Sequence, residues 1–251
     1  MFRVYNGVKQ KNTLYERIYY ISEKGYMKIE NNKIRIIGKN DYVETPNKLY
    51  KYFGNISYAD NAIKGKLHLD DPTNYNDPFE VTGSNLNLTA KESKSKIIKE
   101  ACFTEISDSI LMWAYYAHNH QGVCIEYDLK KLLDNHEVVD YYDYSDIVKG
   151  IKPIHYSPLR SNLEARLITG VYTKADVWQH ELEWRLAVEV ERNVEEISFD
   201  CVSSVYFGVR TDFNQNNVKE IIKKCSKNKI DVFQYRCSTN EYRLESYRLE
   251  Q

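Results

Sequence analysis

What the chain lacks narrows its chemistry first. No run approaches the roughly 20 consecutive apolar residues that cross a bilayer as a helix. The N-terminal MFRVYNGVKQ has no apolar core of the kind a secretory signal carries, so a cytoplasmic protein with no membrane partner is expected. The five cysteines, Cys102, Cys124, Cys201, Cys225 and Cys237, are odd in number, scattered and without C-x-x-C spacing. That pattern argues against a disulfide frame and against a zinc knuckle, and leaves buried thiols. G-x-G-x-x-G, G-x-x-x-x-G-K-[ST], H-E-x-x-H and G-x-S-x-G are all missing, which removes the signatures of four common enzyme classes. A formal net charge of -1 argues against a polyanion-binding surface spread over the whole protein and leaves room for a local basic groove.

What remains is an ordinary globular composition: 251 residues, 42% hydrophobic and 28% charged, long enough for one large or two small domains with a proper core. Twenty-two tyrosines stand out. Tyrosine combines a large apolar body with a polar tip and suits half-buried sheets and cleft walls, although AT-rich coding produces the same excess.

Local patterns mix helices and strands without a regular βαβ alternation. Thr13-Leu-Tyr-Glu16 is a capping box opening a helix over 14–24, and strands on either side of Asn31-Asn32 form a hairpin. KLYKYF and KGKLHL read as strands around one or two helical turns, and DDPTNYNDPFE (70–80) as a turn-rich loop. Thr89-Ala-Lys-Glu92 opens a helix burying Ile97, Ile98 and Ala101, before a short strand CFTEI. Ser107 caps a helix running to about Asn119 that Gly122 ends, and His120 near its C-terminus is placed to favour the helix dipole as a cation. VCIEYD, EVVDYYDY, GIKPIHYS, SSVYFG and IDVFQYR read as strands; DLKKLLDN, NQNNVKEIIKKC and a segment introduced by Pro158 read as helices. The expected class is α+β, with mixed, mostly antiparallel sheets and flanking helices. Residues 1–48 form an N-terminal extension and 49–251 the main domain.

Two segments carry candidate chemistry. In Asn76-Asp-Pro-Phe-Glu80, turn chemistry explains every residue but Glu80, giving a rigid loop anchored by a buried Phe79; the functional alternative is a loop that presents Asp77 or Glu80 into a cleft. In HELEWR (180–185), strand alternation puts Glu181, Glu183 and Arg185 on one face and Leu182, Trp184 and Leu186 on the other. Such a face is normally solvated. Here Trp178 and Trp184 flank it, an environment that partly desolvates a glutamate and fits it to bind a ribose hydroxyl or to stabilise a cationic transition state.

Taken in order, LYKYF (49–53), NYNDPFE (74–80), FTEISDSILMWAYYAHNHQGVCIEYD (103–128), HELEWR (180–185) and VYFGV (205–209) resemble the bacterial domain-of-unknown-function family 2971 from about residue 49 to the end. The departures are Tyr75, where the family has Phe, and Phe53, where it often has Arg. The order of parts in turn resembles the ADP-ribosyltransferase superfamily and its split sheet. That resemblance implies NAD as substrate, no metal, Lys51 or Tyr52 and His68 gripping it, Glu183 as the catalytic carboxylate and Glu181 orienting the acceptor or ribose. Asn76, Asp77, Trp113 and Arg185 complete the expected cofactor-binding set, Arg185 holding phosphate or balancing charge on the strand. A transferase or NAD glycohydrolase with a nucleotide substrate and a protein or nucleic-acid acceptor follows, in a toxin or antiphage-defence role. Two other readings stay open: a non-enzymatic nucleotide-sensing or interaction module, and a metal-dependent nuclease built on Asp77, Glu80, Glu181 and Glu183. The absence of a lysine in E-x-E-W-R counts against the nuclease.

Overall fold

The computed structural model describes residues 27–30, 33–36, 42–44, 46–79, 96–134, 138–139, 142–143, 150–159 and 170–250. Its strands are β1 (Met27–Glu30), β2 (Lys33–Ile36), β3 (Tyr42–Glu44), β4 (Lys48–Phe53), β5 (Lys66–His68), β6 (Lys96–Thr104), β7 (Val123–Asp128), β8 (Val138–Val139), β9 (Tyr142–Asp143), β10 (Ile151–Pro153), β11 (His155–Ser157), β12 (Thr173–Ala175), β13 (Glu183–Glu191), β14 (Glu196–Ser198), β15 (Val202–Phe207), β16 (Asp231–Cys237) and β17 (Leu244–Arg248). Its helices are α1 (Ser57–Ile63), α2 (Ile110–Tyr116), α3 (Leu129–Asp134) and α4 (Asn216–Lys227). The fold is α+β. The chain forms two compact units that alternate along the sequence: Met1–Pro46, Asp71–Glu100 and Lys149–Arg192 make the first, and Asn47–Asp70, Ala101–Val148 and Asn193–Gln251 the second.

In the second unit the strand order is β6-β4-β7-β15-β16-β17, antiparallel at every pairing except the parallel β15–β16. Period-two alternation divides its two faces. Leu49, Ile125, Tyr127 and Val205 are buried on one, as are Ala59 and Ala62 of α1 and Val218, Ile221 and Cys225 of α4. The other buries Tyr52, Cys124, Tyr206 and Tyr235 against Met112 and Trp113 of α2. Much of the tyrosine excess is therefore sheet and core. Tyr52 donates to the Ile106 carbonyl at 3.0 Å, and Ser107 shares a 2.7 Å hydrogen bond with Tyr235.

One carboxylate, Glu126, sits within that aromatic face. It accepts from Lys48 Nζ at 2.8 Å, Tyr50 at 3.0 Å, Tyr206 at 3.0 Å, Ser203 at 2.6 Å and Ser204 at 3.3 Å. Ser204 is its strand partner across β7–β15, and a register shift between Val202 and Ser204 marks a bulge at Ser203, so two consecutive hydroxyls reach one acceptor. Burial works to raise the Glu126 pKa, but the hydrogen bonds from Lys48, Ser203 and Tyr50 and the Lys48 charge outweigh it and hold the carboxyl below its ordinary range.

The first unit holds the antiparallel β1-β2-β3 meander, the strand order β10-β13-β6 and the parallel pair β11–β12. The expected hairpin across Asn31-Asn32 is there, with Glu30 paired to Lys33. The expected helix over 14–24 lies outside the described residues, as do residues 80–95, with the Thr89 capping box and Glu80, and 160–169 after Pro158.

Several local expectations change. Ile97, Ile98 and Ala101 lie on a nine-residue strand, not a helix, because β6 is paired within sheet and tertiary pairing overrides local helix signals. Ser109, not Ser107, caps α2 by accepting from Met112 N, and the helix ends at Tyr116. His118, Asn119 and His120 then run left-handed, with φ of 47°, 53° and 69°. Gly122 is there for close approach: a Cβ on it would lie 2.1 Å from the Phe53 carbonyl oxygen. His120 does not act as a cation at a helix end. Burial and the nearby Arg210 charge lower its pKa, and its ring stacks on Trp113. Phe79 is 63% exposed and does not anchor its loop.

Two predictions follow from the second unit. Tyr127 is fully buried between Phe103 and Phe199, and its hydroxyl has no hydrogen-bond partner among the described residues. Tyr127→Phe should therefore leave stability unchanged or raise it by about 1 kcal/mol in urea denaturation. Glu126 has a lowered folded-state pKa, so the stability it contributes is present above its unfolded value of about 4 and is lost as pH falls through the folded value. Glu126→Gln should flatten that acid limb of a stability-against-pH curve and lower the plateau at neutral pH.

Candidate functional site

HELEWR is only half a strand. Residues Asp176–Glu181 form a 3₁₀ helix, Leu182 is left-handed at φ 46° and ψ 49°, and β13 begins at Glu183. A positive φ at a branched residue is costly and persists only where its surroundings enforce it. Its effect is to break the alternation that would set Glu181 by strand period, and the side chain is aimed instead by the turn. Both carboxylates nonetheless face inward: Glu181 is 2% and Glu183 4% exposed.

They meet on one ammonium. Lys174, at the centre of β12, reaches Glu181 Oε2 at 2.6 Å and Glu183 Oε2 at 3.1 Å. Arg185 grips the other Glu183 oxygen through Nε at 2.9 Å and Nη2 at 2.5 Å. Its Nη1 reaches Glu100 of β6 at 3.1 Å and donates to the Val171 carbonyl at 2.8 Å. Tyr75 donates to Glu100 at 3.1 Å and lies under the guanidinium, 5.5 Å from it. Tyr156 on β11 accepts from the Glu183 backbone N–H at 2.8 Å; burial foremost, and then the Glu183 charge, push its phenol pKa up. Trp178 carries Lys174 Nζ 5.1 Å above its ring. Strand pairing builds this: β11 against β12 sets Tyr156 beside Lys174, and β10 against β13 sets Lys152 beside Arg185.

Glu181, Glu183, Arg185 and Asp77 thus fall in the first unit, with Asn76 exposed on the Asp77 loop. Asp77 Oδ1 accepts from Phe79 N at 2.8 Å, the Asx-turn that its sequence announces. Lys51, Tyr52, His68 and Trp113 belong to the second unit. Lys51 binds Asp70 at 3.0 Å, and His68 Nε2 stands 3.5 Å from the same carboxylate, with its ring tilted on Tyr58. Burial alone would raise the Asp70 pKa; the Lys51 charge and the hydrogen bonds from His68 and Lys51 take it well below the carboxylate range. Tyr52 and Trp113 pack edge to face, 5.2 Å between centroids, in the core.

Sequence reasoning missed Lys174, Tyr156 and Glu100. A single lysine in VYTKADV has no local pattern, and only the β11–β12 register brings it to the glutamates. Among the described residues no group of three or more His, Cys, Asp or Glu side chains is arranged to hold a metal ion, and no helix is long and apolar enough to cross a membrane.

Lys174→Met removes the ammonium that Glu181 and Glu183 share and leaves buried carboxylates short of a counter-charge. It should cost about 3–5 kcal/mol, read as a fall in the urea midpoint. Lys174→Arg should lose less.

No curated protein and no solved structure matches the chain. The matched family segment starts at Met112, covering the A-x-x-H-x-G-x-C-I run and E-L-E-W-R but neither LYKYF nor NDPFE. Residues 112–186 match the family described as Protein of unknown function (DUF2971).

Proposed function

We propose that the protein is an NAD-using enzyme, a transferase or glycohydrolase, whose working site is the buried Lys174, Glu181, Glu183 and Arg185 cluster. One observation carries the reading: Glu183 has both oxygens fixed by cations, so its charge is set in place before any substrate arrives. Cleavage of the nicotinamide bond develops positive charge on the ribose, and a carboxylate that need not reorganise stabilises that charge where it forms. Glu181, on the turn outside the strand, orients the acceptor or a ribose hydroxyl. Arg185 holds Glu183 in register instead of reaching for phosphate. Lys51, Tyr52, His68, Asn76 and Trp113 are assigned to the nucleotide on the ADP-ribosyltransferase resemblance alone, and so is the split sheet; a toxin or defence role rests on the likeness to the family of unknown function, and a cytoplasmic location on the N-terminal sequence and the lack of long apolar runs.

The second reading, a non-enzymatic nucleotide-sensing or interaction module, is favoured by the same ion pairs, since a carboxylate held on both oxygens also suits a purely structural network.

Incubation of the full chain with NAD separates the two. The enzyme reading expects free nicotinamide in the presence of a chelator, and Glu183→Gln to cut its release by about 100-fold or more while NAD binding persists. NAD binding without turnover in the wild type supports the module; release that requires a divalent metal overturns both in favour of metal-assisted chemistry.

A further inference from the structure

The second unit carries a row of cationic side chains that no described carboxylate neutralises. α4 turns Val218, Ile221 and Cys225 into the core, and helical periodicity sets Lys219, Lys223 and Lys227 together on the side facing away from them. All three are exposed. Each is four residues from the next, so they follow one another at about 6 Å along the helix axis. None of the three makes an ion pair among the described residues. Lys48, Lys51, Lys64, Lys174 and Lys224, by contrast, each hold a carboxylate.

The acids nearby are engaged elsewhere. Asp60 of α1 takes Lys224 on one oxygen at 2.6 Å and Lys64 on the other at 2.8 Å. Glu220, the one acid of α4, acts with Asp60 on Lys224: the Asp60 hydrogen bond foremost, then the Asp60 and Glu220 charges, raise the Lys224 pKa. Like charges four residues apart on a helix repel, and an anion lying along them relieves that repulsion. A chain with a formal net charge of -1 thus concentrates unpaired positive charge on one helix face.

What accompanies the charge selects the partner. Asn216 and Ser226 are exposed in the same band and offer neutral donors to phosphate oxygens. No large hydrophobic residue of α4 is exposed, so the helix has no apolar anchor for a bilayer interface. Ammonium groups at regular intervals fit a polyanion whose charges are regularly spaced. We infer that α4 is a docking face for the phosphodiester backbone of a nucleic-acid strand. Such a face reads charge and not sequence. It lies apart from the buried cluster of the first unit and holds whether or not NAD is cleaved.

The test is fluorescence anisotropy of a labelled, mixed-sequence single strand of about 20 nucleotides, titrated with the full chain over a range of salt. Lys219→Gln/Lys223→Gln/Lys227→Gln removes the row. Arg236→Gln/Arg243→Gln/Arg248→Gln removes the same charge from the β16–β17 hairpin, where each arginine is already paired with a carboxylate. Wild type should bind the strand with an affinity that falls steeply as salt rises. The lysine variant should bind about tenfold or more weakly at low salt, with a salt slope shallower by about 2 and its urea midpoint preserved. The arginine variant should stay within about twofold of wild type. The inference is overturned by a wild type that does not bind the strand at low salt, by full affinity in the lysine variant, or by equal losses in the two variants. Binding of phosphatidylserine vesicles without binding of the strand also overturns it.

Discussion

The first unit is organised by a constraint on Lys174: an ammonium only 7% exposed must be matched by negative charge within a few ångströms. Glu181 and Glu183 meet that requirement, and the rest of the local structure follows from bringing both to the same nitrogen. Leu182 takes a left-handed conformation because a regular strand starting earlier would fix Glu181 by alternation alone. Arg185 then occupies the Glu183 oxygen that Lys174 leaves, and Glu100 takes part of the guanidinium. Each charge limits where the next can be, so the ensemble has few alternative arrangements. Replacement of buried ion pairs by apolar residues of similar volume is often neutral or stabilising, so stability alone does not account for these five ionised groups.

How much of this was legible depended on whether the signal was local. The strands KLYKYF, VCIEYD, SSVYFG and IDVFQYR and the helix ending in KKC show their period within a few residues and appear where expected. Ile97, Ile98 and Ala101 do not: a capping box spoke for a helix, and pairing across the sheet settled them as strand. The inward direction of Glu181 and Glu183 was legible because tryptophans surround them, but their partners were not. The tryptophans suggested an apolar wall, whereas the carboxylates face an ammonium and a guanidinium supplied from other segments. Ion pairs between distant strands leave no trace in a single chain's periodicity.

The two buried carboxylate systems differ in what surrounds them. Glu126 is met mainly by neutral hydroxyls, with one half-exposed lysine, and its neighbours are aromatic rings. Glu183 is met by two cations nearly closed to water. Hydroxyl donors satisfy a carboxylate at modest cost and specify geometry, while buried cations fix charge as well. The first arrangement suits a keystone of the sheet, and the second holds a buried charge in place.

The bulge at Ser203 has a further effect on how the second unit assembles. With Ser203 and Ser204 both tied to Glu126, β15 cannot slide along β7 by a single place without breaking two bonds and turning its aromatic side chains to the opposite surface. Among the described residues β16 pairs only with β15 and β17, and β17 only with β16, so the alignment of these closing strands is inherited from that one lock. A side-chain pin between segments nearly eighty residues apart thereby acts as a ruler for the closing strands.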